Sequence, residues 1–586
     1  MPRPLLSALI VLVGGSAALA AFGGQPSIAT LMATTFIWAT VGLSWNLFSG
    51  LSGNLSIGHA GFFGIGAYVS VLMQIHFGVS PLVAALPASF VAAASAVGIG
   101  WVTFRLSGIY FSLATLTYPL MLIPVAHYLD IQELSVPYIR ENGAWHLQFE
   151  DPRHLGYVAI LLLAAATAVF AWVDRSPLGT RLKAIRDDLP AAEAAGVDTH
   201  LAKMQGFVLS AAIAALAGVL YSSVLLVVTP EAVFGFRTSV VAVLIPIIGG
   251  VGALWGPLAG AAVVVPLNDL LTAALGATAP GLSGLVYGTI VVAIVLFAPE
   301  GLIWKLRSLR PSRKIRNVAA RAVGAANPAA AGALFARCAS AGGVALSVRS
   351  LSRSFGGLKA LSGVAFEVAD GEFLGIIGPN GAGKTTLFNL VNGFVTPTSG
   401  TIMVGGIDVT GLAPHRRFGA GLGRTFQVVR VFRRLTVREN VLVAALGAAD
   451  GSAEAERLCE AALLVCGIHD LAGMPAETLD TRQLRLMELA RALAGRPTLL
   501  LVDEYLAGQS PSSTEDLVRL LRVINGLGIT VVVIEHTIGA LLGMVDRLIV
   551  LDRGQIIADG APQETIAGSA VAEAYLGRKW MQHAAR

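Results

Sequence analysis

The sequence predicts an all-α helical membrane bundle of about ten spans, followed by an α/β domain built around a phosphate-binding loop. The 586-residue chain has only 13% charged residues, about half the share of an ordinary soluble domain. No charged residue lies between Arg3 and Arg105, whereas charges are frequent from Trp304 onward. In the second half, a buried strand, a glycine-rich loop and the start of a helix follow one another within Leu374–Phe388.

The composition excludes a single soluble protein, a disordered chain and a disulfide scaffold. Hydrophobic residues make up 55% of the chain, and its mean hydropathy is +0.71. The three cysteines lack metal-site spacing, and we expect Cys459 and Cys466 to be buried as small apolar residues. The net charge of +5 comes largely from basic residues beside the apolar runs. Membrane lipid is therefore the expected acidic neighbour, and nucleic acid is not an expected partner.

Nine apolar runs approach the roughly 20 residues needed to cross a bilayer. They are 5–22, 28–48, 61–77, 82–104, 108–129, 155–173, 204–228, 254–275 and 282–298. A shorter run, Ser239–Ile248, predicts either a tenth span or a re-entrant segment. The first run also fits a secretory signal peptide, but we expect it to be retained because further spans follow at once.

Two basic segments orient the bundle. They contain Arg175, Arg181, Lys183, Arg186 and Lys203, and Lys305, Arg307, Arg310, Arg313, Lys314 and Arg316. The positive-inside rule makes both segments cytoplasmic, so that about ten spans leave both termini inside. The predicted domains are a membrane domain at 1–303, a basic juxtamembrane linker at 304–343 and an α/β domain at 344–586.

The phosphate-binding loop follows the strand pattern Leu374–Ile377. Its residues are Gly378, Pro379, Asn380, Gly381, Ala382, Gly383, Lys384, Thr385 and Thr386. Glycines at this spacing let backbone N–H groups turn toward phosphate oxygens, and the next helix adds partial positive charge. We expect Lys384 to neutralise the β- and γ-phosphates and the Thr385 hydroxyl to hold Mg²⁺.

A second buried strand, Leu499–Val502, ends in the acidic pair Asp503-Glu504. Asp503 suits Mg²⁺, directly or through water, and Glu504 is placed to polarise an attacking water. Acidic residues at strand ends are common, so the pair indicates a nucleotide site only because the phosphate-binding loop is also present.

These motifs, with three further residues, resemble the nucleotide-binding domain of an ABC transporter, which uses ATP and Mg²⁺. Phe355 stands where that family places an aromatic ring that stacks on adenine. Gln427, at the end of Gly423–Gln427, corresponds to the glutamine that senses the γ-phosphate and the metal. His536 corresponds to the switch histidine, so that the resemblance implies catalytic roles for Gln427, Glu504 and His536.

The resemblance extends to one ATPase subunit and one permease subunit of branched-chain amino-acid importers. The permease-like stretches are 51–60, 64–68, 108–111, 176–179, 249–252 and 299–302. A natural fusion is implied, lying as a multi-pass protein in a bacterial-type inner (plasma) membrane with its ATPase domain cytoplasmic. The implied partners are a second permease, a second ATPase and an extracytoplasmic solute-binding protein, and the implied substrate is an amino acid.

In that family a short cytoplasmic helix docks on the ATPase, and the residues similar to it here are Ala192, Glu193, Ala194, Ala195 and Gly196. The glycine-rich stretch Ser52–Gly66 predicts close helix packing or a broken helix. His59 within it fits either a functional residue or an interhelical hydrogen bond.

The chain departs from the family at the signature loop, which closes on the partner's ATP. The residues there are Leu479, Asp480, Thr481, Arg482 and Gln483. Asp480 replaces a serine that serves the γ-phosphate, and like charges about 4 Å apart repel by roughly 4 kcal/mol at a dielectric near 20. Arg482 stands where glycine is usual, and either compensates Asp480 or only obstructs. Tyr505 also replaces the usual proline after the acidic pair.

The consequence is a hypothesis of an asymmetric ATPase pair, hydrolytic at this chain's own site and degenerate at the partner's. Three alternatives remain open beside the importer of branched-chain or related hydrophobic amino acids. They are an ABC exporter, an ATP-binding subunit with little hydrolysis, and an importer of urea, amides or small carboxylates.

Overall fold

The computed structural model describes residues 3–139, 142–275, 282–298, 300–308, 332–335, 343–506, 511–536 and 538–576. The chain divides into two units. The first unit is Met1–Leu182 with His200–Ile315, and the second is Lys183–Thr199 with Arg316–Arg586. A connection between two membrane helices thus folds with the second unit. Most of the predicted linker 304–343, with Cys338, lies outside the described residues.

The first unit is built mainly from α-helices. In chain order the helices up to Ser308 are α1 Arg3–Phe22, α2 Pro26–Trp45, α3 His59–Phe77, α4 Pro81–Thr103, α5 Ile109–Tyr128, α6 Pro152–Val173, α7 Pro177–Asp187, α8 Leu189–Ala194, α9 Thr199–Leu225, α10 Pro230–Phe234, α11 Phe236–Gly249, α12 Gly256–Leu275, α13 Leu282–Phe297 and α14 Leu302–Ser308. Two short strands, β1 Leu134–Ser135 and β2 Val227–Val228, pair antiparallel.

Among the described residues, nine helices are long and apolar enough to cross a membrane, judged by length and composition. Each predicted apolar run coincides with a helix, and the predicted helical membrane bundle is confirmed. The short run Ser239–Ile248 lies inside the candidate span Pro230–Gly249. The last run forms α13, whose apolar stretch Gly284–Ile294 is shorter than the others.

The Asn46 side chain connects the break that follows α2 to the break between α11 and α12. Helix α2 continues into a π-helical turn at Asn46–Gly50, and α3 begins only at His59. The Asn46 amide donates to the Ala253 carbonyl at 2.9 Å and accepts from the Gly252 N–H at 2.7 Å. Non-helical backbone inside a membrane bundle needs such internal partners, because lipid offers none.

The His59 side chain forms an interhelical hydrogen bond, which is one of the two alternatives stated above. Its Nε2 lies 2.6 Å from the Ser210 hydroxyl on α9, and that hydroxyl donates to the Ser44 carbonyl at 2.7 Å. Helices α3 and α9 also meet through glycine, since a Cβ on Gly218 would lie 1.9 Å from the Phe63 carbonyl oxygen. Backbone contact of this kind requires the small residue.

The second unit contains two sheets. Its strands are β3 Val344–Phe355, β4 Leu358–Ala369, β5 Phe373–Ile377, β6 Ser399–Val404, β7 Ile407–Asp408, β8 Leu422–Arg424, β9 Leu499–Asp503, β10 Thr530–Ile534, β11 Arg547–Asp552 and β12 Gln555–Gly560. One sheet has the order β12-β11-β5-β10-β9-β8, and the other β4-β3-β6-β7. Strands β5, β8, β9, β10 and β11 run parallel, which matches their continuous apolar sequence.

Helices complete the second unit around the buried sheet. They are α15 Lys384–Asn392, α16 Pro414–Gly419, α17 Val437–Ala448, α18 Ser452–Val465, α19 Thr481–Ala494, α20 Pro511–Gly526, α21 Ile538–Leu542, α22 Pro562–Ala567 and α23 Ser569–Leu576. Cys459 and Cys466 are buried, as predicted. The carboxyl ends of β5, β9 and β10 come together at one sheet edge, because these strands are parallel neighbours. Their end residues form the site described next.

Candidate functional site

The phosphate-binding loop connects β5 to α15 in the strand–loop–helix arrangement that the sequence predicts. Gly378 and Gly383 have φ values of +155° and +104°. A Cβ on Gly378 would lie 2.1 Å from the Leu551 carbonyl oxygen, so only glycine fits there. Between them lie Pro379, Asn380, Gly381 and Ala382, and the loop ends on the first turn of α15. Backbone N–H groups at such a helix start favour an anion.

Lys384, Thr385 and Thr386 occupy that first turn. The Lys384 ammonium donates to the carbonyls of Gly378 at 2.6 Å and Pro379 at 3.1 Å. Burial lowers the pKa of Lys384, while Glu504 and Asp503 oppose that shift. Thr385 is exposed, which leaves its hydroxyl accessible to a ligand.

Asp503 ends β9 and is almost fully buried. Its Oδ2 lies 3.3 Å from an Arg424 guanidinium nitrogen, whereas its Oδ1 has no hydrogen-bond partner among the described residues. A buried carboxylate oxygen without a partner is costly unless a cation or water completes it. This donor set, with the Thr385 hydroxyl, fits Mg²⁺, which prefers carboxylate and hydroxyl oxygens.

Glu504 is held by two other predicted site residues. Its Oε2 accepts from the Gln427 amide at 2.7 Å, and its Oε1 lies 2.7 Å from His536 Nε2. Its backbone has φ +45°, a left-handed conformation that is strained for a glutamate. The Glu504 N–H donates to the Ile534 carbonyl of the neighbouring strand at 2.9 Å, which fixes this turn. Three predicted catalytic residues therefore meet at one carboxylate.

Phe355 lies apart from these contacts, at the end of β3 where it pairs with Leu358. Its side chain is exposed, and the Arg353 guanidinium lies 4.6 Å from its ring centroid. An exposed aromatic at a strand end is available for stacking, so the adenine contact stays a prediction.

Arg424 is a site residue that the sequence argument did not single out. Its buried guanidinium contacts Asp503 and donates to the Asn389 side chain at 2.9 Å. It also lies within 6 Å of three aromatic rings, those of Phe388, Phe394 and Phe426. The sequence signal for Arg424 is its position at the end of β8, whose residues are all buried. An arginine in a buried strand needs a counter-charge nearby.

The signature residues begin helix α19. Asp480 caps that helix, because its Oδ1 accepts the Gln483 N–H at 2.8 Å, and the Gln483 side chain accepts the Asp480 N–H in return. Arg482 pairs with Asp516 at 2.7 Å, and within the described residues it makes no hydrogen bond or ion pair with Asp480. Of the two alternatives for Arg482, compensation of Asp480 is thus not observed. Leu479 is buried and Thr481 exposed.

Tyr505 connects the acidic pair to α19. Its buried hydroxyl donates to the Arg485 carbonyl at 2.8 Å. The Arg485 guanidinium in turn donates to the carbonyls of Phe426 at 3.3 Å and Gln427 at 3.0 Å. A proline after Glu504 could not supply the hydroxyl, so the departure from the family pattern has a structural role here.

Arg430 lies three residues beyond Gln427 and joins two parts of the unit. Its N–H donates to Glu488 at 3.3 Å, and its carbonyl accepts from Arg491 at 2.7 Å. Its guanidinium lies 3.2 Å from both carboxylate oxygens of Asp188. Burial raises the pKa of Glu488 to about 7 against the opposing influence of Arg491. The segment Phe426–Arg430 is thus fixed to α19 through its backbone and to the 183–199 connection through a side chain.

The 183–199 connection contains the short helix predicted to dock on the ATPase. Asp188 caps helix α8 by accepting the Ala191 N–H at 2.8 Å, and the helix ends at Ala194. Ala195 and Gly196, which the prediction included in the helix, follow its end, because Gly196 adopts φ +81°. Ala192 is buried, and Glu193 accepts from the Thr199 hydroxyl at 3.0 Å.

A single phenylalanine ring is seated among three glycines beside this helix. Phe418 of α16 is buried, and Cβ atoms built on Gly196, Gly447 and Gly495 would lie 2.3, 3.1 and 2.5 Å from its ring. Nearby, His415 of the same helix lies 3.7 Å from Asp198. The connection is therefore anchored by a ring in a glycine pocket and by ion pairs around it.

Comparisons with known proteins agree with this architecture. Residues 27–295 match the family described as "Branched-chain amino acid transport system / permease component", and residues 361–507 match the family described as "ABC transporter". The high-affinity branched-chain amino acid transport ATP-binding protein BraF of Pseudomonas aeruginosa is 37% identical over 248 residues, covering 40% of this chain and 97% of that relative.

Two further similarities concern the ATPase half. The lipopolysaccharide export system ATP-binding protein LptB of Acidithiobacillus ferridurans is 35% identical over 232 residues, covering 40% of this chain and 96% of that relative. A solved nucleotide-free ATP-binding cassette from an ABC transporter is 30% identical, covers 40% of this chain and 100% of its own, and has a TM-score of 0.37.

The phosphate-binding loop, the acidic pair and the apolar helices together define a transport ATPase joined to a membrane permease. The chain belongs to the ABC transporters, as a branched-chain amino-acid permease component fused to an ABC ATPase domain. It is a multi-pass membrane protein with a cytoplasmic ATPase domain.

The glycine pocket of Phe418 yields a prediction. In Gly196→Ala, the new methyl group meets the Phe418 ring and the connection is displaced. We expect solute uptake by the assembled transporter to fall about ten-fold while ATP hydrolysis persists, since a coupling energy is removed. Uptake and hydrolysis are measured together in proteoliposomes.

The matched control is Gly467→Ala. Gly467 also has positive φ, at +67°, but no atom lies within 4 Å of its would-be Cβ. Both variants carry the backbone strain, and only one disturbs Phe418. Equal uptake by the two variants would refute the anchoring role.

Proposed function

We propose that this chain is the fused permease and ATPase subunit of an ATP-driven importer for branched-chain or related hydrophobic amino acids. The observation that carries the proposal is the meeting of Gln427 and His536 at the Glu504 carboxylate beside the phosphate-binding loop, in a chain whose membrane half belongs to the permease family. ATP hydrolysis at this site would supply the work of inward translocation.

The contacts support a specific order of events. Lys384 would move from the loop carbonyls to the β- and γ-phosphates of ATP. Thr385, Asp503 and Gln427 would hold Mg²⁺, which would supply positive charge against that of the phosphates. The γ-phosphate would compete for the same Gln427 amide and His536 imidazole that now bind Glu504. Release of those two donors leaves the Glu504 carboxylate able to accept a proton from the attacking water.

Movement of Gln427 would reach the permease through Arg430. The two residues share one short segment, and the Arg430 guanidinium binds Asp188 at the start of helix α8. Helix α8 belongs to the connection between α7 and α9, so a displacement there pulls directly on a membrane helix. Ala192, Glu193 and Ala194 lie on this helix and Ala195 and Gly196 at its end.

Import of amino acids is favoured by the permease half. The ATPase half alone is similar to proteins named for amino-acid transport and to one named for lipopolysaccharide export, so it does not decide the solute. The permease match covers residues 27–295, nearly the whole membrane unit. Urea, amides and small carboxylates remain the alternative solutes to be tested beside leucine.

The chain requires partners to form the transporter. We infer a second permease, a second ATPase and an extracytoplasmic solute-binding protein, because ABC ATPases act in pairs. A bacterial-type inner membrane is the proposed location, with both termini cytoplasmic. Within the assembly, Leu479–Gln483 of this chain would face the partner's ATP.

The importer proposal predicts that Lys384→Ala abolishes ATP-dependent leucine uptake by the assembled transporter. Glu504→Gln should keep nucleotide binding and lose hydrolysis by about 10²-fold or more, because the general base is gone. Uptake of labelled leucine and phosphate release are measured in proteoliposomes that enclose ATP, with leucine and binding protein added outside. The control is Lys359→Ala, whose lysine is exposed on β4. Wild-type uptake in Lys384→Ala would sink the energising role.

A second, independent proposal concerns asymmetry of the ATPase pair. Asp480 places a carboxylate at the signature helix start, and Arg482 is engaged with Asp516 instead of Asp480. Arg482 therefore does not offset the repulsion toward a γ-phosphate, which is roughly 4 kcal/mol at about 4 Å. The partner's nucleotide would be held without efficient hydrolysis, while this chain's own site remains catalytic.

Repair of the signature loop tests the asymmetry. The chain alone, forming only homodimers, should hydrolyse ATP slowly, and the double variant Asp480→Ser, Arg482→Gly should raise its rate about ten-fold or more as the charge repulsion is removed. Steady-state phosphate release from purified chain gives the comparison. Fast hydrolysis by the unrepaired homodimer, at rates typical of transporters, would contradict the proposal.

A further inference from the structure

A cavity of about 810 Å³ lies in the first unit, between helices α2, α9, α10, α11, α12 and α13. Helix α9 starts at Thr199, at the end of the connection that folds with the cytoplasmic ATPase unit, and ends at Leu225. Its far end therefore faces outward. Tyr221, which lines the cavity, lies near this outward end of α9. Glu231, which also lines it, follows that end in α10. The cavity thus belongs to the outward half of the bundle.

Three charged side chains line this cavity. They are Glu231 of α10, Arg237 of α11 and Asp269 of α12. Charged residues are rare in the first unit, since none lies between Arg3 and Arg105, so three in one cavity are a marked concentration. Ionisable groups in membrane-spanning segments are expensive and mark solute or ion pathways.

The charges are only partly satisfied by their neighbours. Arg237 donates to the Asn268 side chain at 2.9 Å, and Glu231 lies 3.3 Å from His127 at an exposed position. Asp269 has no hydrogen-bond or ion-pair partner among the residues described. One cationic and two anionic groups therefore line the cavity, and their neighbours leave part of their hydrogen-bonding capacity unused.

Apolar side chains also line the cavity. Trp38 of α2, Val241 of α11 and Val264 of α12 line it together with the charged groups. A pocket of several hundred Å³ that combines apolar side chains with a few polar groups has the general character of a small-molecule site. A leucine-sized solute fits with water around it.

We propose that this cavity is an outward-facing binding site for a zwitterionic amino acid with an apolar side chain. Arg237 would take the α-carboxylate, Glu231 and Asp269 the α-ammonium, and the apolar lining residues the side chain. Guanidinium pairs well with carboxylate, and charge-assisted hydrogen bonds are the strong ones. The proposal rests on the proposed import function, from which it takes the direction of transport, and adds the place and chemistry of recognition.

Cysteine protection tests the site directly. In the assembled transporter in intact cells, Ser27→Cys at the cavity lining is treated with a membrane-impermeant maleimide. We expect labelling, and we expect it to slow about ten-fold when leucine is present at ten times its dissociation constant. Isopentylamine, which lacks the carboxylate, and 4-methylpentanoate, which lacks the ammonium, should protect poorly. Tyr138→Cys, exposed in the β1–α6 connection, is the control that leucine should leave unprotected.

A second variant assigns the chemistry. Adding Arg237→Gln should remove leucine protection at Ser27→Cys and lower leucine uptake about ten-fold, as a charged hydrogen bond is lost. Arg153→Gln, at the outward end of α6 and paired with Asp151, should leave both unchanged. Co-purification of the partner subunits is followed in every variant.

The outcomes separate this site from the import function itself. Absence of labelling, labelling that leucine does not slow, equal protection by all three compounds, or loss of subunit assembly in Arg237→Gln would each overturn the site. The last result would mean that the charges serve a subunit interface. Absence of leucine uptake by the wild-type transporter, by contrast, would refute the import function, while leucine protection of Ser27→Cys would still report on the cavity.

Discussion

The ion pair between Arg430 and Asp188 is the contact on which the proposed coupling between the ATP site and the membrane helices depends. It joins the segment that ends the ATP site at Gln427 to the connection that leads into the membrane helices. Hydrogen bonds to Glu488 and from Arg491 hold the Arg430 backbone, and this fixes the position from which its guanidinium extends. A continuous chain of contacts therefore links the Glu504 carboxylate to α8 through Gln427 and Arg430.

The burial of this network has a cost that stability alone does not justify. Glu488 is fully buried, and burial raises its pKa to about 7. Removing one member of such a buried charge group typically costs about 3–5 kcal/mol, yet apolar replacements of the whole group are often as stable. A polar network kept at that cost is consistent with a part that must hold two discrete arrangements. The left-handed backbone of Glu504 is a second strained feature at the same site.

Much of the second unit could be predicted from sequence because its signals are local. The loop Gly378–Lys384 and the acidic pair depend on glycine conformation and strand ends, and each was found where the structure has it. The apolar runs likewise gave the membrane helices, because hydropathy over a span's length is a strong signal. Gln427 and His536 meet at the Glu504 carboxylate because the parallel strands β8, β9 and β10 end at the same edge of the sheet.

Contacts between distant segments were not predictable in the same way. Arg430 and Phe418 have ordinary sequence surroundings, and their partners lie far away in the chain. The predicted helix residues extend through Gly196, whereas α8 ends at Ala194 and Gly196 adopts a φ of +81°. The charged cavity was not predictable from the sequence either. Glu231, Arg237 and Asp269 belong to three different helices and come together only in the folded structure.

Charge reversal at the Arg430–Asp188 pair tests the account most directly. The single variants Arg430→Asp and Asp188→Arg should each hydrolyse ATP in the assembled transporter but lose about ten-fold or more of their leucine uptake per ATP, as a coupling energy disappears. The double variant restores the pair with its charges exchanged, and we predict that it recovers most of that ratio. Normal uptake per ATP in both single variants would contradict the account.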